Sequence, residues 1–271
     1  MFRVDPPPTP YDLHFKIGPI PVRISPWFWL MALLLGRPFD TPTKQLMIWV
    51  VAVLVSILIH ELGHALVAIY FYRCRTSVLL YQMGGLAFYH PNRTTPYREV
   101  AVSAAGPGAG FVLAGLMCVA LLLSGNELRF GDFTKLDFRI FAPMPDANVY
   151  LFYLVNQMLY LNIIWGMVNL LPVYPLDGGQ ISRSLLQHYR PHDGLRQSLV
   201  LSIMNGICMA VFAWFIWESL FVAFMFGYLA YMSYTMFQMV QHGGFGSGGY
   251  GSGGGWRGYD DQDDDWRGKG P

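Results

Sequence analysis

Residues 46–72 form an almost unbroken apolar run, and His60, Glu61 and His64 sit inside it. A run of this length reads as a membrane-crossing helix, since about 20 apolar residues cover about 30 Å of hydrocarbon. An ionisable group at the centre of such a span costs about 2.5–3.5 kcal/mol on insertion scales. Three of them within His60-Glu61-Leu62-Gly63-His64 demand a compensating partner, which polar glue between helices would not supply. The spacing names that partner. Residues four apart stack on one helix face, so both imidazoles reach a single divalent cation, while Glu61 lies beside them within reach of water at the site.

The composition agrees with a bilayer environment. Of 271 residues, 54% are hydrophobic and 13% charged, with a mean hydropathy of +0.34, whereas a soluble domain carries about a quarter charged residues. That deficit excludes a soluble globular enzyme and a disordered chain, and the formal net charge of +1 offers no field for nucleic acid. Further apolar runs at 100–124, 150–171, 199–217 and 219–240, with a shorter one at 26–35, predict an all-α polytopic fold of about six spans. The last two runs touch at Glu218 with no Gly or Pro between them. Joined, they would make one helix of about 60 Å, so a tight hairpin is expected there instead. With the N-terminus inside, this alternation puts thirteen of the 18 Lys and Arg on the cytoplasmic side and leaves Arg37, Lys44, Arg129, Lys135 and Arg139 opposite. The positive-inside bias then predicts a multi-pass protein of the cell membrane with both termini cytoplasmic.

Residues 1–24 read as an N-terminal cytoplasmic or interfacial segment, 25–241 as the transmembrane domain, and the Gly-rich acidic stretch 242–271 as a disordered tail. No removable signal peptide, internal repeat or second soluble domain is expected. Cys74, Cys118 and Cys208 form no CxxC pair and read as small apolar filler. Residues 76–90 read as a hairpin of two β-prone runs meeting at Gly84-Gly85, and residues 17–24 add a further strand. Gly106 and Gly110 make a small-xxx-small pair that lets their span pack closely on the histidine-bearing helix. His90, His188 and His192 flank Arg-rich loops and read as solvated, and the Met, Trp and Tyr residues as lipid-facing or interfacial filler.

Catalytic zinc keeps three protein ligands and one open position, so a third ligand must come from elsewhere. A histidine six residues beyond His64 would fall at Tyr70, which cannot serve. Glu99, after an Arg-rich loop, is one candidate, and Asp177 is the stronger. Asp177 follows Asn169-Leu-Leu-Pro-Val-Tyr-Pro-Leu, where Pro172 and Pro175 break regular helix, and it precedes Gly178-Gly179. Non-helical backbone at membrane depth is tolerated only against protein or a wet cavity. His64 lies about 12 Å of helix from the cytoplasmic end of its span, and Asp177 follows a span that leaves on the same side. Alone, Asp177-Gly178 would read as an interfacial turn; beside the histidines it reads as a ligand.

Three elements together resemble the site-2 protease family of intramembrane zinc metalloproteases: His60-Glu61-Leu62-Gly63-His64 in a span, Ala105-Gly106-Pro107 opening the next, and Asn169 eight residues before Asp177. The resemblance covers about residues 46–184. It implies one zinc ion per chain bound by His60, His64 and Asp177, with Glu61 as general base and acid and Asn169 holding the substrate or its oxyanion. It also implies hydrolysis of peptide bonds in or near transmembrane segments, with single-span membrane proteins of the lipid bilayer as substrates, the chemistry of regulated intramembrane proteolysis. Such a bond is shielded inside its own helix, so the substrate must unwind, and a short sheet near the membrane face is implied to offer it an edge. A minimal form is expected, with no PDZ module between spans and no regulatory nucleotide-binding domain after the last. The competing class is a non-proteolytic membrane protein with a structural or regulatory zinc site. Glu61 favours the enzyme, because a structural site fills its fourth position and needs no base. A metal-ion transporter would need further ionisable residues along its spans, and these are almost absent.

Overall fold

The computed structural model of the chain describes residues 8–36, 41–82, 84–91, 93–131, 140–143 and 148–241. The tail at 242–271, expected to be disordered, lies outside the described residues. Strands β1 (Leu13–Ile17) and β2 (Ile20–Ile24) precede a short helix α1 (Pro26–Leu35). α1 opens on Pro26, whose fixed φ suits a first helical turn. The long helix α2 (Thr43–Tyr72) ends where Arg73 turns left-handed. Strands β3 (Thr76–Tyr81) and β4 (Gly84–Tyr89) lead into α3 (Pro96–Leu123), and a ribbon of β5 (Arg129–Phe130) with β6 (Ile140–Phe141) follows. Helix α4 (Val149–Tyr160) runs through a π-helical turn, Leu161–Trp165, into α5 (Gly166–Asn169), making one apolar rod. Helix α6 (Asp177–Tyr189), which no apolar run announced, precedes the antiparallel pair α7 (Gly194–Phe215) and α8 (Leu220–Gln241). Their tight turn holds Glu218 at φ 48°, at the position expected for the hairpin.

Five elements, α2, α3, the α4–α5 rod, α7 and α8, are long and apolar enough to cross a membrane, so this is a multi-pass membrane protein. The remaining candidate, α1, has 10 residues, which rise only about 15 Å. The sheet explains its shortness. Strand order is β1-β2-β3-β4, with β2 and β3 parallel (Val22↔Val78, Ile24↔Leu80) and the other pairs antiparallel. Parallel neighbours need a crossover, here α1 with α2, so the N-terminal strands and the segment after α2 lie on one side of the bundle. Ile20, Val22 and Ile24 of β2 and Val78 and Leu80 of β3 share a core with Val50, Val53 and Ala65 of α2 and Phe28 and Ala32 of α1. The Trp49 indole N–H donates to the Ala32 carbonyl at 2.9 Å, which fixes α1 beside the first half of α2. The sheet flanks the second half.

The strand expected within 17–24 is β2. The hairpin expected at 76–90 also forms, but Gly84-Gly85 is not its turn. Gly84 pairs with Tyr81 and Gly85 with Leu80, and the chain reverses after Tyr81, with Gln82 at φ 46°.

Candidate metal centre

His60 and His64 are buried on the inner face of α2, with their Nε2 atoms 3.1 Å apart. Asp177, the first residue of α6, closes a triangle: its Oδ2 lies 3.1 Å from His60 Nε2 and its Oδ1 3.3 Å from His64 Nε2. A tetrahedron with zinc–ligand arms of about 2.0–2.1 Å has edges of about 3.3–3.4 Å. The donor atoms therefore hold nearly the spacing of three of its corners, and two imidazoles with a carboxylate are a donor set that suits zinc. Burial alone would raise the Asp177 carboxyl, and hydrogen bonding to His60 and His64 outweighs it, holding the group below the ordinary carboxylate range.

Each donor is oriented by a neighbour. His64 Nδ1–H donates to the Val102 carbonyl on α3 at 2.7 Å, which turns Nε2 toward the cluster. Gly106, one turn along α3, lies against both rings: a Cβ there would sit 2.5 Å from His64 Cε1 and 2.8 Å from His60 Nε2. From the other side, a Cβ on Gly63 would sit 2.5 Å from the Ala105 carbonyl oxygen. The two helices thus make their close approach through Gly63 and Gly106. Gly110, expected at the same crossing, faces the π-helical turn instead, where a Cβ would meet Asn162 Oδ1 at 3.2 Å.

Asp177 is delivered by a loop that α7 and α8 hold in place. Ser202 Oγ on α7 accepts from the Tyr174 N–H at 3.1 Å, and Ser233 Oγ on α8 donates to the Leu229 carbonyl of its own helix at 3.0 Å while sharing that hydrogen with the Tyr174 carbonyl at 3.4 Å. Gly178 packs on the Leu170 carbonyl with no room for a Cβ. The last two spans support the centre through these buried serines and supply none of its three donors. Glu99, the other candidate third ligand, accepts a hydrogen bond from Ser184 Oγ at 3.0 Å, tying α3 to α6 rather than joining the triangle.

Glu61 is buried beside the histidines, with its carboxylate and the two imidazoles within 4.8 Å of one another. Gly85 of β4 stands against it: a Cβ there would lie 2.6 Å from Glu61 Oε1. The glycine at 85 therefore serves the approach of a sheet edge to a carboxylate. Asn169 is buried at the end of α5, next to Leu170. Among the described residues its amide makes no hydrogen bond to His60, His64 or Asp177. One turn before His60, Asn162 Nδ2 donates to Ser56 Oγ at 2.9 Å, a second buried polar pair that no motif marked. The available signal was a polar residue in each of two otherwise apolar spans. His188 packs edge-on against Tyr97 and Tyr189, while His90 and His192 are exposed.

The model of Peptidase family M50 matches residues 48–212. A zinc metalloprotease of Methanocaldococcus jannaschii is 27% identical over 173 residues, which are 64% of this chain and 44% of that protein. Stage IV sporulation protein FB of Bacillus subtilis is 27% identical over 224 residues, 79% of this chain and 64% of that protein. The chain thus spans less than two thirds of the length of either relative. Among solved structures, the site-2 protease from Methanocaldococcus jannaschii aligns with a TM-score of 0.54 at 19% identity, over 83% of this chain and 94% of that one, which shows a shared fold.

Proposed function

We propose that this chain, which belongs to peptidase family M50, is a membrane-embedded zinc metalloprotease. It hydrolyses peptide bonds in or near the transmembrane segments of single-span membrane proteins. The observation that carries this reading is the meeting of the His60, His64 and Asp177 donor atoms beside Glu61, with β4 alongside. When bound, zinc supplies a Lewis acid that polarises the scissile carbonyl and makes water acidic enough to lose a proton near neutral pH. Glu61 stands where it takes that proton and returns it to the leaving amine nitrogen. Among the described residues, β4 is hydrogen-bonded on one side only. An unwound substrate can therefore pair with its outer edge through backbone N–H and C=O groups. At Gly85 that edge runs past Glu61, and a side chain there would displace the carboxylate. Asn169, buried near the Asp177 loop, supports the substrate or its oxyanion.

The sheet and the segment after α2 share one side, which the Lys and Arg bias marks as cytoplasmic. Cleavage thus takes place near the cytoplasmic face of the cell membrane. The experiment that tests the reading is Glu61→Gln. Zinc content should stay at one per chain by metal analysis, while cleavage of a single-span substrate falls by about 10²–10⁴-fold, the usual contribution of a general base. A Glu61→Gln chain that cleaves at the parent rate sinks the protease reading.

A further inference from the structure

A cavity of about 170 Å³ opens beside His60, outside the triangle of donors. Its walls are mostly apolar: Phe28 of α1, Val53 and Ile57 of α2, and Trp165 of the π-helical turn. Several polar groups on the wall are already bonded: the Trp49 indole N–H donates to the Ala32 carbonyl at 2.9 Å and the Gln82 amide to the Tyr81 hydroxyl at 3.3 Å. Asn162 spends its amide hydrogens on Ser56 Oγ at 2.9 Å and on the Met158 carbonyl at 2.8 Å. A polar guest would thus gain little from them, whereas an apolar guest leaves no buried donor stranded. The π-helical turn at Leu161–Trp165 brings Asn162 and Trp165 to this wall, and such turns are rare and frequent at functional positions.

Size and continuity identify the guest. An apolar cavity of about 150 Å³ holds a benzene molecule, so this one accommodates the ring of a phenylalanine or the branch of a leucine. It is bounded by His60 at the metal centre and by Gln82, in the turn that joins β3 to β4. A strand lying on the outer edge of β4, with a carbonyl next to Glu61, has a neighbouring side chain within reach of this space. We propose that the cavity is a specificity pocket that selects a large apolar side chain immediately flanking the scissile bond. This rests on the protease reading above.

The test uses the full zinc-loaded chain in detergent and a library of synthetic apolar peptides randomised at every position, with cut sites mapped by mass spectrometry. At one flanking position Phe and Leu should exceed Ala by at least about tenfold, since even one methylene in an apolar pocket is worth about 10–200-fold. Val53→Phe and Ala32→Leu, which intrude from α2 and α1, should each lower the Phe-to-Ala ratio by about tenfold or more. Ile57→Ala should admit Trp. Zinc content equal to the parent establishes that each variant keeps its fold; where the filled variants lose zinc, the admission of Trp by Ile57→Ala decides. Cut sites without a size preference, or a preference unmoved by these variants, overturn the pocket and leave the protease standing. A parent chain that cuts no peptide overturns both.

Discussion

Replacing Gly106 with alanine isolates the packing of α3 on the metal centre. The added methyl would stand 2.5 Å from His64 Cε1 and 2.8 Å from His60 Nε2, where ordinary contact begins at 3.4 Å. The His64 ring, whose Nε2 would be closer still, must retreat by more than about 0.9 Å and the His60 ring by about 0.6 Å, while a zinc site tolerates only about 0.2 Å in its ligand distances. Neither ring is free to give way: His64 is held to the Val102 carbonyl, and α2 is pressed on α3 through Gly63. Disturbing groups that merely orient ligands costs about 10–100-fold in metal affinity. Displacing two ligands at once should reach at least the upper end of that range. The control is Gly108→Ala, two residues along the same helix, where a Cβ meets nothing within 4 Å. It should hold its zinc and gain about 0.5–1 kcal/mol of helix stability. The assay is zinc titration of the purified chain in detergent against a competing chelator, with cleavage measured in parallel. A Gly106→Ala protein with parental zinc affinity and parental cleavage would refute the reasoning, because the imidazoles would then not occupy the space assigned to them.

Other substitutions separate the roles of neighbouring residues. Asp177→Asn replaces an anionic ligand by a neutral amide; zinc affinity should drop at least about tenfold together with activity, and unchanged metal occupancy would move the third ligand elsewhere. Gly85→Ala would push Glu61 Oε1 from 2.6 Å to beyond 3.4 Å from the new Cβ. Because a misplacement of about 1 Å can cost 10²-fold in rate, turnover should fall on that scale with zinc still bound, and a variant that turns over normally would remove β4 from the site. Glu99→Gln keeps an acceptor for Ser184 and should keep stoichiometric zinc; metal loss there would restore Glu99 as a ligand candidate.

Several features were legible before any coordinates because they are properties of one helix. Apolar length marks the five long spans, and the four-residue step from His60 to His64 puts two imidazoles on one face whatever surrounds them. Even the meeting with Asp177 could be anticipated, since the charge map returns both segments to one side. Glycines were harder to read. Gly84 and Gly85 resemble turn residues, yet they pair within β4, and Gly85 is needed because Glu61 leaves no space for a Cβ. Gly110 carries the spacing of a contact with α2 but is rotated toward Asn162 on another rod.

The same division holds for the support of the centre. Ser202 and Ser233 donate back to the Ser198 and Leu229 carbonyls of their own helices, as helix serines ordinarily do, so nothing local to them or to Ser56 marks a distant partner. Their partners, Tyr174 and Asn162, lie 28, 59 and 106 positions away along the chain. The shortness of α1 follows likewise from a sheet that already covers the rest of α2. Periodicity and solvent preference act within a turn or two, so they fix which segments enter the lipid and which side chains share a face. Close contact between distant segments is set by how whole helices and strands pack, and that is where the spacing of the three donors, the glycine clearances and the approach of β4 to Glu61 were decided.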